Sequence, residues 1–388
     1  MADALLNADE IFDSTAKKYD LEKFADAGMR RRFSQLIESF NASGGIPDWS
    51  RPAALKQLTA IIKRRLELSR DWALHPEILD ERIDRPLFAV GSARTGTTLV
   101  QNLLALGDGC RTTLSWECRS PSPPPGFKPE TEPARIAAEH QYILEMINMF
   151  PGLLLSHPYV DQKAFMEVED EDIFANDFHT AFPWHFTRVR NLPIVHHKRE
   201  TGLVESLQFH KKFLQTMQWK RPTGHWVCKT PQHFFGLPAT WEVYPDALCV
   251  FTHRDPAVFV ASVLGIIEHV YTPLLGTTIR GEFAHELANS LAGGYDAIMN
   301  GGWLDDERLI HVRFDDLVRD PIAAMRGVYK KGDLGFSQGY EDRMRQWLTS
   351  PANAGDRHQK YLYSLEQFDL DPADIRKKFA AYYERFVK

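Results

Sequence analysis

Three cations fall where this sequence passes from an apolar run into a polar turn. They are Arg94 in Gly91-Ser92-Ala93-Arg94-Thr95-Gly96-Thr97-Thr98, Lys229 in Cys228-Lys229-Thr230-Pro231, and Arg254 in Thr252-His253-Arg254-Asp255-Pro256. Cations clustered with hydroxyls and loop glycines can grip a ligand that carries several anionic oxygens. The first segment has the spacing of the phosphate loop G-x-x-x-x-G-K-[ST], with Thr97 in the lysine position. Nucleoside-triphosphate enzymes place that lysine on the β- and γ-phosphates, so its loss argues against ordinary ATP or GTP chemistry. Arg94 supplies a cation inside the loop instead. Ser262 follows Arg254 by eight residues, in a stretch from Val258 to Leu264 that is otherwise almost wholly apolar. The bland alternatives are a capping arginine, a core serine and a surface lysine. Three such cations in one chain favour a shared anion site.

The elements that must hold these residues can be read from the apolar pattern. Pro86–Val90 reads as a buried strand, and Leu99, Val100, Leu103 and Leu104 then recur at helical spacing. The result is strand, tight loop and helix N-terminus, an arrangement whose backbone N–H groups face an anion. Ala247–Thr252 reads as a second buried parallel strand, followed by a helix that Asp255 caps and Pro256 opens. His225–Cys228 and Thr112–Trp116 read as two further short strands. Ligands of open α/β sheets bind at the carboxyl ends of strands, where Arg94, Lys229 and Arg254 all fall.

Four separated motifs carry a resemblance: GSARTGTT, VCKTP, FTHRDPAVFVAS, and VRFDDLVRDP at Val312–Pro321. In order and spacing they resemble the sulfotransferases that use 3′-phosphoadenosine 5′-phosphosulfate (PAPS), most closely the bacterial branch. The likeness runs from about Leu87 to Pro321, and more weakly to His358-Gln359-Lys360-Tyr361. Ala93-Arg94-Thr95 departs from the usual proline or lysine, arginine, serine, but keeps the charge and the hydroxyl. The resemblance implies that Arg94, Thr95, Gly96, Thr97 and Thr98 hold the 5′-phosphosulfate. It implies that Arg254 and Ser262 hold the 3′-phosphate, that Lys229 bridges toward the leaving oxygen, and that Phe314 and its neighbours belong to the strand and loop bordering the adenosine, with no contact assigned to Phe314. The implied fold is α/β: a three-layer, P-loop-like parallel sheet flanked by helices. Residues 1–80 read as an N-terminal helical extension to an α/β domain expected over 81–388, with a helical acceptor-side insertion read at 130–222.

Sulfuryl transfer has a loose, in-line transition state, so such an enzyme mainly positions and neutralises. Fixed Arg and Lys side chains can suffice for the smaller charge, and no metal is expected. The nearest acid to a Mg²⁺-binding strand end is Asp255, whose neighbours suit a cap better. The acceptor hydroxyl needs a general base. Glu117 is the first candidate, since some sulfotransferase branches place a catalytic glutamate shortly after the loop's helix; the alternative is a solvated residue or a partner for Arg119. Other branches use a histidine after the lysine strand. Here Pro231 holds that position, leaving His233 two residues on, with His157 and His179 as further options.

The chain has 388 residues and 44% hydrophobic content, enough for a large core. A net charge of −6 argues against a nucleic-acid or anionic-membrane partner. Cys110, Cys118, Cys228 and Cys249 form no C-x-x-C pair and read as reduced core thiols. No apolar run is long enough for a membrane span, and Met1–Leu5 is no secretory signal, so a cytoplasmic location is expected. Leu55, Leu58, Ile61, Ile62 and Leu66 make a helical apolar face that can pack on the core or form a homodimer contact, with Lys63, Arg64 and Arg65 on a solvated side. Phe165, Phe174, Phe178, Phe182, Trp184 and Phe186 can line a pocket for an apolar or aromatic alcohol, although helix core with a solvated acidic face is the default. The expected activity is therefore sulfuryl transfer from PAPS to a hydroxyl of a small, hydrophobic acceptor. A kinase-like enzyme would instead show Mg²⁺-dependent ATP turnover. A non-catalytic nucleotide-binding protein would bind the donor and lose no rate when Glu117 is changed.

Overall fold

Five short strands, mostly apolar along their middles with polar residues gathered toward their ends, make the centre of the fold. In the computed structural model, which describes residues 5–42, 51–179, 203–275, 281–354 and 363–388, these are β1 (Leu87–Val90), β2 (Cys110–Arg111), β3 (His225–Lys229), β4 (Leu248–His253) and β5 (Leu309–Arg313). All pairings are parallel, in the order β2-β3-β1-β4-β5. Every residue of β1 and β4 is buried, as expected of strands covered on both faces. Alternate residues then serve opposite layers. Leu87, Ala89, Val227, Leu248, Val250, Ile310 and Val312 pack with Leu103, Leu104, Met325 and Tyr340 on one face. On the other, Phe88 meets His233 and Tyr244, and Phe251 meets Phe234. The expected three-layer α/β architecture is present.

The chain divides into two compact units. The sheet belongs to the one made of Asp84–Thr112, Ile143–Met166 and Thr223–Lys388. The other comprises Met1–Ile83, Thr113–Tyr142 and Glu167–Pro222. Its core joins the helices Ala8–Lys18, Ala27–Ala42 and Arg51–Leu74 through Phe12, Phe33, Phe40, Leu58 and Ile62, with Phe178 among them.

Three local readings are corrected. The strand after the loop helix is Cys110–Arg111, and Ser115–Arg119 is a short helix. Arg64 and Arg65 do not lie on a solvated face. Arg64 Nε donates to Asn176 Oδ1 at 2.9 Å, and Arg65 is buried against the Asp177 carboxylate. Helical spacing cannot foresee this, because the acceptors come from far along the chain. Asp170 and Glu171 are buried as well, so the acidic stretch is not simply a solvated face. Of the aromatic run, Phe174 and Phe178 are core and Phe165 is half exposed. Phe182, Trp184 and Phe186 lie outside the described residues, as do His358, Gln359, Lys360 and Tyr361.

Candidate active site

The loop between β1 and the helix Thr97–Ala105 is shaped by two glycines and two buried threonines. Gly91 has φ +140°, and a Cβ there would stand 2.7 Å from Thr252 Oγ1 and 2.8 Å from Thr95 Oγ1. Gly96 caps the helix in the left-handed region at φ +99°, where a Cβ would meet the Phe314 ring at 2.9 Å. The Thr95 hydroxyl donates to the Ser92 carbonyl at 2.7 Å and lies 2.7 Å from Thr252 Oγ1. It therefore braces the loop from inside. Thr97 and Thr98 open the helix, whose first N–H groups have no intrahelical acceptor. Arg94 itself sits at φ +71°, an unusual conformation for a residue with a Cβ.

Arg94, Arg254 and Ser262 converge at the carboxyl ends of β1 and β4. Arg94 Nε donates to Ser262 Oγ at 3.0 Å, and Arg254 Nη1 donates to the Arg94 carbonyl at 2.8 Å. The Arg254 guanidinium lies 4.0 Å from the centroid of Phe314, the first residue after β5. Gly96, Phe314 and Arg254 thus form one contact series, so the loop after β1 and the segment after β4 make one connected cluster. Asp255 is engaged elsewhere: Oδ1 accepts from Ala257 N–H at 2.9 Å, and its carboxylate pairs with Arg376. Lys229 ends β3 and is buried, paired in register with Ala89 of β1. His233 follows in a tight turn, buried, with its ring edge-on to Phe88 at 4.8 Å. His157 precedes the turn Pro158–Phe165.

Glu117 belongs to the other unit and is buried. Its Oε2 accepts from the Leu114 N–H at 3.0 Å, and Oε1 lies 3.5 Å from Arg221 Nη1. Arg119, weighed as its partner, pairs with Glu139 instead. His179 is fully buried, with Nε2 3.0 Å from Asp177. Burial opposes a charge on His179, and its pKa lies below the usual histidine value despite Asp177. Burial also opposes the charge on Asp177, but Arg65, His179 and Arg32 overcome it and hold this carboxyl well below the usual range.

The model of the family described as the sulfotransferase family matches residues 86–338, well over half of the sequence. The chain belongs to that family. It is an enzyme of sulfuryl transfer, with the P-loop-like sulfotransferase fold. The omega-hydroxy-beta-dihydromenaquinone-9 sulfotransferases Stf3 of Mycobacterium bovis and Mycobacterium tuberculosis are each 27% identical over 290 residues, covering 73% of this chain and 71% of theirs. Among solved structures, sulfotransferase STF9 of Mycobacterium avium superposes with a TM-score of 0.81 at 25% identity, over 100% of this chain and 97% of its own. Sulfotransferase STF1 of M. tuberculosis superposes at 0.79 with 22% identity, over 98% and 100%. No helix among the described residues is long and apolar enough to cross a membrane.

Phe314 under the Arg254 guanidinium is a contact that the motif VRFDDLVRDP only hinted at. Thr252 carries no sequence signal beyond its place at the end of an apolar run.

Proposed function

We propose that this sulfotransferase takes its sulfuryl group from PAPS and passes it to a hydroxyl of a small, hydrophobic acceptor. The observation that carries the donor assignment is the cluster of Arg94, Ser262 and Arg254 at the ends of β1 and β4. A donor with phosphates at both the 5′ and 3′ positions uses two anion grips that a nucleoside triphosphate does not. In this reading the loop amides, Arg94, Thr97 and Thr98 receive the 5′-phosphosulfate around Gly96, with Thr95 shaping the loop. Arg254 and Ser262 receive the 3′-phosphate. The fit rests on the glycine-opened loop, which admits an anion close to the backbone, and on an arginine presented on a flat aromatic ring.

The acceptor oxygen attacks sulfur as the bond to the phosphate oxygen breaks, releasing 3′-phosphoadenosine 5′-phosphate. Lys229 and Arg94 neutralise the charge that grows on that oxygen. Glu117 is the proposed base and takes the hydroxyl proton. Its carboxylate is held in one orientation by the Leu114 N–H, with Arg221 nearby. A hydrophobic acceptor is supported by the Stf3 relatives, named for a hydroxylated dihydromenaquinone. The compartment this reading implies is the cytoplasm.

The direct test is calorimetric titration with 3′-phosphoadenosine 5′-phosphate, ADP and ATP, with and without Mg²⁺. The first two are isomers that differ in the position of one phosphate. Metal-independent preference for the 3′-phosphate isomer is expected. Preference for ATP with Mg²⁺ would overturn the donor assignment.

A further inference from the structure

His253, Arg254 and Asp255 carry β4 toward the helix Pro256–Leu275, and each is held by a different residue of the last two helices, Pro372–Lys378 and Ala380–Phe386. Phe386 stacks on the His253 imidazole, with centroids 4.2 Å apart and planes 4° from parallel. The Tyr382 hydroxyl accepts from the Arg254 N–H at 3.1 Å and lies 3.3 Å from the Arg254 carbonyl, to which it donates. Arg376 donates to Asp255 Oδ2 from Nε at 3.0 Å and from Nη2 at 2.7 Å. Tyr382 and Phe386 are four residues apart, so one helix face supplies both contacts.

His253 is fixed from its other side as well. Its Nε2 lies 2.8 Å from His311 Nδ1, and His311 Nε2 lies 2.8 Å from the Leu304 carbonyl. A carbonyl can only accept, so His311 carries its proton on Nε2 and His253 donates from Nε2. Among the described residues the Arg254 side chain meets the Arg94 carbonyl and the Phe314 ring, neither of them in the tail. The tail therefore grips the backbone from which the guanidinium projects and leaves the guanidinium to the site. The Arg376–Asp255 pair is partly exposed, at 42% and 21% for the two side chains. Such a pair contributes little to stability, whereas its two-point geometry constrains orientation.

We infer that the C-terminal segment Pro372–Phe386 is a positioning brace for Arg254. By fixing residues 253–255 at three points, it sets the direction of the guanidinium and thereby the preference for a 3′-phosphorylated nucleotide. The inference rests on the donor assignment proposed above. Arg376 and Tyr382 act through Arg254 and touch no ligand themselves.

The full-length protein and its Tyr382→Phe, Arg376→Gln and Arg376→Lys variants would be titrated with 3′-phosphoadenosine 5′-phosphate and with ADP, and their thermal unfolding recorded. Tyr382→Phe and Arg376→Gln should each weaken 3′-phosphoadenosine 5′-phosphate binding roughly three- to tenfold. ADP binding should change less than about twofold, and Arg376→Lys should recover part of the loss. Equal losses for both nucleotides, following a drop in Tm, would show a general folding role and overturn the inference. Unchanged binding in both variants would overturn it too. Wild-type protein that does not distinguish the two isomers would sink the donor assignment first, before any variant is compared.

Discussion

The Arg254 guanidinium donates to the backbone carbonyl of Arg94 at 2.8 Å, so the cation assigned to the 3′-phosphate also steadies the loop assigned to the 5′-phosphosulfate. Arg94 returns the link through Ser262, the second residue assigned to the 3′-phosphate. A substitution at Arg254 or Arg94 therefore removes a contact with the other segment as well.

Arg254→Ala should therefore weaken both nucleotide isomers, but unequally. Loss of a charge-assisted hydrogen bond costs about 1.5–3 kcal/mol, roughly ten- to a hundredfold in Kd. 3′-Phosphoadenosine 5′-phosphate should lose about that much, and ADP distinctly less. Equal losses in calorimetric titrations would remove Arg254 from the 3′-phosphate.

Gly96→Ala tests the contact series from the loop to Phe314. The residue sits at φ +99°, and the new methyl would approach the Phe314 ring at 2.9 Å. The left-handed conformation alone costs roughly 1–2 kcal/mol for a residue with a Cβ, and displacing Phe314 removes the surface on which Arg254 rests. Both Tm and affinity for 3′-phosphoadenosine 5′-phosphate should fall. A variant with wild-type values in both would mean that the loop relaxes without moving the ring.

Glu117→Gln keeps an oxygen for the Leu114 N–H and so should fold normally. Losing a general base typically lowers turnover by about 10²–10⁴. kcat should drop within that range while the affinity for 3′-phosphoadenosine 5′-phosphate changes little. Near-normal kcat would pass the role to a histidine, with His157, His179 and His233 the remaining candidates.

The sheet and its loop were legible because their signals are local. Apolar runs of three to five residues marked β1, β3 and β4, and the cations followed directly from the strand ends. Cys110–Arg111 escaped because a two-residue edge strand has no pattern of its own. The fates of Arg65, Thr95 and Asp255 were hidden for a different reason. Each meets a partner brought from elsewhere in the chain, namely Asp177, Thr252 and Arg376. The tail's grip on residues 253–255 had no sequence signal at all, since Arg376, Tyr382 and Phe386 are ordinary residues of amphipathic helices.

Asp177 is the counter-ion of two buried arginines, Arg32 at 2.8 Å and Arg65. Asp177→Ala leaves both cations without it, and breaking a buried pair costs about 3–5 kcal/mol. Chemical denaturation should show a loss of that size, located in the helical unit. Arg32 also reaches Glu205 at 2.6 Å, so a loss well below that range would mean that Glu205 takes over.

Asp172, in the first turn of the helix Asp170–Ala175, gives a pH-dependent outcome. Burial, with Glu169 adding to it and Arg119 opposing, pushes its pKa up to about 7. The folded protein thus holds a proton that the unfolded chain releases near its ordinary value of about 3.9. Stability must then decline as pH rises from there through about 7, because the unfolded state binds fewer protons over that window. Asparagine cannot ionise and removes that decline. Asp172→Asn should therefore raise Tm relative to wild type by more at pH 8 than at pH 5. A difference between the two proteins that is the same at both pH values would show that Asp172 does not titrate in this window, and that Arg119 offsets its burial.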